Sequence, residues 1–302
     1  MLKNILPDNI YNIISERISF NAINEIRIRA DKPIVIAIGM QRFFLGERGT
    51  TGNLKEAITA SKVMIEDIIF RASECSIYSV NEQIKKGFIV TNEGVRIGIG
   101  GDMIEENGHI KTMTNFNSIN IRIPHEIKNC CLPVFPMILE DDTLLNTLVL
   151  SPPGAGKTTF LRDFICQLSE RNYAFNVLVL DERGEFDINN GKSIGNYADK
   201  ISFARKKVGF ENGIRSLSPN LIVTDELGDE EDVEAVRYCA NCGVNILASA
   251  HCDSIESFLK KPSFNKLINE KIFKRYVLLS MRKGAGTIEG VYNENFSRIG
   301  RY

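Results

Sequence analysis

The feature that most constrains the fold is a glycine-rich segment, SPPGAGKT at residues 151–158. It follows the apolar run NTLVL at 146–150 and precedes the helical pattern TFLRDFICQLSER. Apart from Ser151 at its first position, it matches G-x-x-x-x-G-K-[ST] in the strand-to-helix context that a phosphate-binding loop requires. The backbone N–H groups of such a loop and the N-terminus of the following helix bind phosphate oxygens. The segment therefore predicts a P-loop nucleotide triphosphatase.

Individual residues of this loop are predicted to bind either the phosphates or the metal ion. We expect Lys157 to contact the β- and γ-phosphates of ATP and Thr158 to bind Mg²⁺ through its hydroxyl group. Because serine is small, we expect it to be tolerated at the turn into the loop. The other residues expected to line the cofactor site are Ser151, Pro152, Pro153, Gly154, Ala155, Gly156 and Thr159.

Two apolar runs end in acidic pairs. The run NLIVT at 220–224 continues into Asp225 and Glu226. In P-loop enzymes the aspartate at such a strand end orders the metal shell, and an adjacent glutamate can polarise the attacking water as a general base. A second run ends in Asp181 and Glu182. Glu226 is thus the favoured general base, and Glu182 is the second choice.

His251 follows the apolar run VNILASA at 244–250. Open α/β sheets bind ligands at the carboxyl ends of their strands, which favours His251 as a sensor of the γ-phosphate. Cys239, Cys242, His251 and Cys252 could alternatively form a zinc site. The helical pattern around the first two cysteines favours simple packing, and the two interpretations remain open.

The chain divides into two halves with different patterns. Residues 1–125 contain short alternating segments such as GVRIGIGG at 94–101, with a helix predicted over 54–74, which indicates a small α+β domain. From 126 to 302, unbroken apolar runs alternate with helical stretches. This pattern is typical of a parallel sheet covered by helices on both faces. A turn at Gly284–Gly286 and a final antiparallel strand are predicted near the end.

Composition excludes several classes of protein. Hydrophobic residues make up 43% of the 302 residues and charged residues 25%, which is typical of a globular chain. No apolar run approaches the ~20 residues needed to span a bilayer, and we find no signal peptide. We therefore expect a cytoplasmic protein whose seven cysteines are reduced thiols. The net charge of −1 and the absence of Trp disfavour a nucleic-acid partner.

The motifs resemble those of known families. IRSLSPNLIVTDELGDEEDVEAVRYCANCGVNILASAH at 214–251 is similar to the core of the type II/type IV secretion ATPase superfamily, and DERGE at 181–185 lies where those proteins carry an acidic box. A closer resemblance is to the stage III sporulation protein AA family of endospore-forming bacteria. The segments that carry it are EIRIR at 25–29, SIYSVNEQIKKGFIVTNEGVRIGIGGD at 76–102, SINIRI at 118–123, SPPGAGKTTFLRD at 151–163 and LDERGEF at 180–186.

This resemblance implies a RecA-like, Mg²⁺-dependent ATPase domain at 126–302, preceded by the α+β domain at 1–125. It further implies a homo-oligomer, expected to be a hexamer, that is peripheral at the membrane on the mother-cell side. Its implied partners are the membrane-embedded channel proteins encoded in the same sporulation operon. Arg96 and Arg122 are implied as arginine fingers that reach the γ-phosphate of a neighbouring subunit. Pairing of these arginines with surface carboxylates is an equal alternative.

One stretch departs from the family pattern. Residues 195–213 replace a segment that usually contains Asp and Pro, and they include the basic run Arg205-Lys206-Lys207. The simple interpretation of that run is a solvated helix face. Two other functions remain open for the whole chain: an assembly scaffold gated by nucleotide with negligible turnover, and a nucleic-acid motor. Selectivity for ATP over GTP is not readable from these motifs.

Overall fold

In a computed structural model, the chain forms two compact units, one up to His125 and one from residue 127 onward. The first contains the segments of alternating apolar residues, and the second contains the unbroken apolar runs. The structure describes residues 2–39, 41–91, 93–106, 108–125, 127–186 and 194–300. Across these residues, no helix is both long and apolar enough to cross a membrane.

The first unit is built on a seven-stranded sheet in which all neighbouring strands are antiparallel. Its strands are β1 (Ile23–Arg29), β2 (Val35–Ile38), β3 (Gln41–Gly46), β4 (Gly49–Thr51), β5 (Phe88–Val90), β6 (Arg96–Glu106) and β7 (His109–Arg122). They are ordered β4-β3-β2-β1-β7-β6-β5. Its helices are α1 (Asp8–Arg17), α2 (Lys62–Ala72) and α3 (Asn81–Lys85), with 3₁₀ turns at Leu2–Asn4, Phe20–Ala22, Leu54–Glu56 and Ile77–Val80.

The helix predicted over 54–74 is wrong in its first part. α2 begins only at Lys62, where the Ser61 side chain accepts a hydrogen bond from the N–H of Met64. Upstream, the Ile58 N–H donates to the Leu45 carbonyl at 2.7 Å, so this segment extends along the sheet instead of coiling. Apolar spacing alone could not separate these two outcomes, because Ile58 is directed to the core by strand pairing.

The second unit contains an eight-stranded sheet and a small hairpin. The hairpin strands are β8 (Leu139–Glu140) and β9 (Thr143–Leu144). The strands of the sheet are β10 (Thr147–Ser151), β11 (Val177–Asp181), β12 (Ala198–Ser202), β13 (Leu221–Glu226), β14 (Asn245–His251), β15 (Arg275–Ser280), β16 (Thr287–Asn293) and β17 (Arg298–Gly300). Its helices are α4 (Phe135–Ile138), α5 (Lys157–Glu170), α6 (Lys206–Leu217), α7 (Glu230–Asn241), α8 (Ile255–Leu259) and α9 (Asn265–Asn269), with a 3₁₀ turn at Pro262–Phe264.

The order of this sheet is β12-β11-β13-β14-β10-β15-β16-β17. The strands from β12 to β15 are parallel, and β16 and β17 add to them antiparallel. The predicted parallel sheet and the predicted antiparallel strand after the turn at 284–286 are therefore confirmed. The apolar runs at 146–150, 176–180, 220–224, 244–250 and 276–280 all form strands, β10, β11, β13, β14 and β15.

Unbroken apolar runs occur because both faces of this sheet are covered. In β10, Leu148 and Leu150 pack in the cluster that contains side chains of α6, α7, α8 and α9. Val149 between them packs in the cluster that contains side chains of α4 and α5. Successive side chains of a strand point to opposite faces, so a strand with two covered faces is apolar at every position.

Helix α6 packs unusually close to β11. A β-carbon at Gly209 would lie 2.2 Å from Cδ1 of Leu180, and one at Gly213 would lie 2.1 Å from Cδ2 of Leu178. Only glycine allows backbone to approach a strand this closely. The helix therefore runs along β11 with its first residue, Lys206, at the carboxyl end of that strand.

Candidate active site

The register of the parallel strands brings the predicted site residues to one edge of the sheet. Ser151 at the end of β10 is paired with His251 at the end of β14. On the other side of β14, Glu226 of β13 is paired with Ser249 after a register shift. The carboxyl ends of neighbouring parallel strands form the ligand-binding edge of open α/β sheets.

The phosphate loop has the backbone that its glycines predict. Gly154 and Gly156 have φ angles of 75° and 91°, in the left-handed region that favours glycine. Ser151 is instead the last residue of β10 and its side chain donates to the Pro152 carbonyl at 2.9 Å. Because this position is extended strand, it does not require glycine. Its replacement by serine is therefore compatible with the loop.

Two elements hold the rest of the loop in place: helix α5 and the turn at 284–286. That turn is predicted by the sequence, but its contact with the loop is not. Lys157 is the first residue of α5, so Thr158 and Thr159 lie in its first turn. The Ala155 carbonyl accepts a hydrogen bond from the N–H of Gly286 at 3.0 Å. The turn between β15 and β16 thus holds the phosphate loop through this backbone hydrogen bond.

Lys157, His251 and Glu226 lie in a row of close polar contacts. The Nζ of Lys157 lies 2.7 Å from Nδ1 of His251, and Nε2 of His251 lies 3.0 Å from Oε1 of Glu226. An ammonium group only donates, so Nδ1 accepts from Lys157 at 2.7 Å, and the Ser151 carbonyl oxygen lies farther from Nδ1, at 3.4 Å. On this assignment the ring proton lies on Nε2, which is directed to Glu226. Arg183 forms an ion pair with the second oxygen of Glu226, with Nη1 3.0 Å from Oε2. Burial lowers the pKa of Lys157, and the charge of Glu226 opposes this shift.

Asp225 is buried at the end of β13, and within the described residues neither of its carboxylate oxygens has a hydrogen-bond partner. Burial raises the pKa of Asp225 to about 7, although the Lys206 ammonium group, 3.9 Å from Oδ1, acts in the opposite direction. Mg²⁺ takes oxygen ligands and is commonly held through one carboxylate, waters and substrate phosphates. A buried carboxylate with two unused oxygens, together with Thr158 at the start of α5, fits that ion.

The second acidic pair is already occupied. Asp181 accepts hydrogen bonds from the N–H groups of Glu185 at 2.8 Å and Phe186 at 3.1 Å. Glu182 accepts from the Nζ of Lys206 at 2.8 Å. Burial raises the pKa of Asp181, and the two backbone N–H groups oppose that shift. This pair therefore organises the chain after β11 instead of facing the phosphate loop with a free carboxylate.

Lys206 corrects the interpretation of the basic run as a solvated helix face. Arg205 and Lys207 are exposed, but Lys206 is buried with 5% exposure. Burial alone would lower the pKa of Lys206, but the hydrogen bond to Glu182 and other nearby carboxylates outweigh it and raise the pKa. Gly209 and Gly213 follow Lys206 at helical spacing and lie on the face of α6 that packs against β11. This spacing was the sequence feature that could have predicted the burial of Lys206.

The cysteines do not gather into a metal site in the part of the chain that the structure describes. There, no group of three or more His, Cys, Asp or Glu side chains is placed to hold a metal ion. Cys239 is buried in α7, whereas Cys242 just after that helix is exposed. The thiol of Cys252 lies 2.9 Å from the hydroxyl oxygen of Ser257. All seven cysteines are free thiols.

The two arginines implied as fingers lie in the first unit and face each other across one strand pair. Arg96 of β6 is the register partner of Arg122 of β7. The Arg96 guanidinium lies over the ring of Phe88, 4.2 Å from its centroid, and Arg122 is exposed. Their location in strands agrees with the prediction, and their role as fingers stays a prediction.

Comparison with known proteins decides the family. The sequence profile of the family described as "Sporulation stage III, protein AA" matches residues 1–299. Stage III sporulation protein AA of Bacillus subtilis (strain 168) is 33% identical over 308 residues, covering 98% of this chain and 96% of that protein. The chain belongs to the stage III sporulation protein AA family. The predicted resemblance is thereby confirmed over nearly the whole length.

Solved structures extend the comparison to the fold. The ATPase DotB of Legionella pneumophila superimposes with a TM-score of 0.60 and 16% identity, covering 90% of this chain and 76% of that one. The pilus retraction motor PilT, solved with bound ADP, superimposes with a TM-score of 0.59 and 14% identity, covering 90% and 78%. At this identity the likeness concerns the fold. It confirms the predicted fold class for this family member, an α/β ATPase core preceded by a smaller α+β domain.

Proposed function

We propose that this chain binds ATP at the 151–158 loop together with Mg²⁺ and hydrolyses it to ADP and phosphate. One observation carries the proposal: Lys157 of the loop and Glu226 of β13 converge on the imidazole of His251, at 2.7 and 3.0 Å. A phosphate-binding lysine, a carboxylate and a polar sensor within hydrogen-bonding reach are the groups that phosphoryl transfer to water requires.

Each residue of the loop and of the β13 end has a task in this proposal. The backbone N–H groups of the loop bind the phosphate oxygens, and Lys157 leaves His251 to contact the β- and γ-phosphates. Thr158 and Asp225 would hold the metal, and among the described residues the Asp225 carboxylate has no hydrogen-bond partner that would compete for it. When bound, the ion neutralises charge that develops on the phosphates.

Glu226 is the proposed general base. Its carboxylate has a side-chain exposure of 23%, and it is already oriented by Arg183 and His251. When Lys157 turns toward phosphate, Nδ1 of His251 loses the ammonium group from which it accepts, while Nε2 stays close to Glu226. Both glutamates are paired with a cation, but Lys206 beside Glu182 is buried, whereas Arg183 beside Glu226 is half-exposed and can move away, so Glu182 is the weaker candidate. This arrangement makes His251 the link between phosphate occupancy and the base.

Family membership and the fold also support a proposal about the oligomeric state and the partners of this chain. We place the chain in a homo-oligomer, most simply a hexameric ring, in which Arg96 or Arg122 of one subunit acts on the γ-phosphate bound by the next. Its proposed partners are membrane-embedded channel proteins of the same sporulation operon, and its proposed place is the membrane surface on the mother-cell side. The fold shared with the pilus retraction motor PilT supports mechanical work as the output of hydrolysis.

Phosphate release with Mg-ATP tests the proposal in wild type, Lys157→Ala and the exposed control Lys207→Ala. We expect turnover in wild type and in the control, and a loss of at least about 100-fold in Lys157→Ala, because a cation that stabilises transition-state charge is removed. Sizing chromatography of the same samples with ATP follows assembly. Assembly driven by ATP without any product would instead support the nucleotide-gated scaffold, and equal turnover in all three proteins would refute this site.

A further inference from the structure

Lys206 lies among three carboxylates that come from three different elements. Its Nζ is 2.8 Å from Oε2 of Glu182, just after β11, and 3.9 Å from Oδ1 of Asp225 in β13. It is also 3.6 Å from Oδ2 of Asp232 in α7. A buried ammonium group costs several kcal/mol unless it is paired, so the position is maintained by these acids.

The third carboxylate extends the cluster to the turn that follows β13. Asp232 accepts a hydrogen bond from the N–H of Gly228 at 2.8 Å. Asp229 in the same turn caps α7 by accepting from the N–H of Asp232 at 2.9 Å. Through Asp232, Lys206 is therefore connected to the segment that immediately follows Asp225.

The position of the lysine is built into the helix that carries it. Gly209 and Gly213 have no β-carbon, which lets the backbone of α6 pack directly against the side chains of Leu180 and Leu178 of β11. The helix begins at Lys206, so the ammonium group reaches the carboxyl ends of β11 and β13. In the described part of the chain no cluster of carboxylates is gathered tightly enough for a metal ion, and these three are spread around an ammonium group instead.

We propose that Lys206 is a positioning residue, an internal cation that holds Glu182, Asp225 and Asp232 together where a metal ion would otherwise be needed. It keeps Asp225 at the strand end when no nucleotide is bound, and it keeps Glu182 turned away from the phosphate loop. The inference rests on the proposed function only in assigning Asp225 to the metal that accompanies ATP. The cluster itself exists without nucleotide and can be tested without it.

The test is thermal unfolding of the nucleotide-free protein with and without MgCl₂ or MnCl₂, at an ionic strength matched with KCl. The variants are Lys206→Met, Lys206→Arg and the exposed neighbour Lys207→Met as matched control. We expect Lys206→Met to lower Tm by about 5–10 °C, because three carboxylates lose their common cation. Millimolar divalent cation then restores much of that loss by binding in place of the ammonium group. Lys206→Arg restores it without added metal.

Wild type and Lys207→Met are expected to show no comparable response to divalent cations. A Lys206→Met variant that keeps the Tm of wild type, or that loses stability without regaining any with Mg²⁺ or Mn²⁺, overturns the inference. If that variant gives no soluble protein, Lys206→Met combined with Asp232→Asn, which carries one carboxylate fewer, takes its place in the same titration. Failure of ATP hydrolysis in wild type would refute the proposed function and leave these nucleotide-free results to decide the role of Lys206.

Discussion

Strands β11 and β13 are neighbours in the sheet, and the same dipeptide, Asp-Glu, lies at both carboxyl ends, with its Glu just after β11 and at the last position of β13. The two ends are nevertheless used differently. After β11, Asp181 accepts two backbone hydrogen bonds and Glu182 is paired with Lys206. At the end of β13, Asp225 has no hydrogen-bond partner within the described residues. Glu226 contacts His251, whose other ring nitrogen contacts Lys157 of the phosphate loop.

The difference teaches that the partners of an acidic pair decide its role. A buried carboxylate that accepts backbone N–H groups stabilises the local chain, whereas one that has only a distant cation and no hydrogen-bond donor is a cost that folding alone does not explain. Buried unsatisfied groups are expected where a ligand completes the site. On this account the β11 end is structural and the β13 end is chemical, and each prediction below acts on one side of that contrast.

The largest effect is expected from the two aspartates. Asp225→Asn should lower phosphate release by about 100-fold or more, because it removes a ligand of the metal. In the nucleotide-free protein the same change should raise the free energy of unfolding by about 1–2 kcal/mol at pH 8, because a buried charge disappears. Asp181→Asn should lower the free energy of unfolding by about 1–3 kcal/mol through its two backbone hydrogen bonds. Urea unfolding gives the free energy of unfolding of both variants, and a phosphate-release assay gives their turnover. If both substitutions changed the free energy of unfolding in the same direction, the proposed difference between the two strand ends would be wrong.

The stabilisation by Asp225→Asn should depend on pH. Burial raises the pKa of Asp225 from 3.8 to about 7 in the folded protein, so between these values the folded state holds a proton that the unfolded state has lost. The contribution of Asp225 to the stability of the nucleotide-free protein therefore falls as the pH rises from about 4 to about 7, and it levels off above that. The advantage of the Asn variant should grow by about 2 kcal/mol between pH 5 and pH 8. Urea unfolding across this range checks it, and a constant difference would be incompatible with a raised pKa.

A smaller effect is expected from the helix that carries Lys206. Gly213→Ala places a β-carbon 2.1 Å from Cδ2 of Leu178, so either this buried leucine changes its rotamer or α6 moves away from β11. We expect a loss of about 1–3 kcal/mol in the free energy of unfolding, as for other overpacked contacts. The matched control is Asn212→Ala, an exposed neighbour in α6, expected to change it by less than about 0.5 kcal/mol. Equal stability of the two variants would show that this close approach is not needed.

The smallest effect is expected at the first position of the phosphate loop. Ser151 is extended strand, so Ser151→Gly restores the usual residue without relieving strain. We expect phosphate release to change by less than about twofold and the free energy of unfolding to fall by less than about 1 kcal/mol. Turnover assays and urea unfolding test this. An increase in turnover of tenfold or more would show that serine restrains the loop.

The parallel sheet and the loop were predictable because their signals are local. Unbroken apolar runs record burial on both faces, and a glycine-rich segment between such a run and a helix has few structural alternatives. Strand β12 was missed because it lies at the edge of the sheet, where its residues ADKIS are half-exposed and carry no apolar run. The segment before α2 was assigned to a helix because Leu54 and Ile58 happen to have helical spacing.

The unequal use of the two acidic ends was not predictable from their sequences. Asp-Glu follows an apolar strand in both cases, and the difference comes from residues distant in the chain. Lys206 reaches Glu182 across 24 positions, and His251 reaches Glu226 across 25. Such contacts depend on strand order and on the approach of α6, which no local pattern of charge or hydropathy records. The glycines at 209 and 213 were the nearest local signal.

The central claim is that the β13 end performs the chemistry and the β11 end does not. Phosphate release by Glu226→Gln and Glu182→Gln, measured side by side with bound ATP quantified, tests it most directly. The account predicts that Glu226→Gln loses about 10²- to 10⁴-fold in turnover while still binding ATP, as expected for a general base. It predicts a loss of less than about tenfold for Glu182→Gln, whose carboxylate is engaged by Lys206. The reverse ranking, or equal losses, would contradict it.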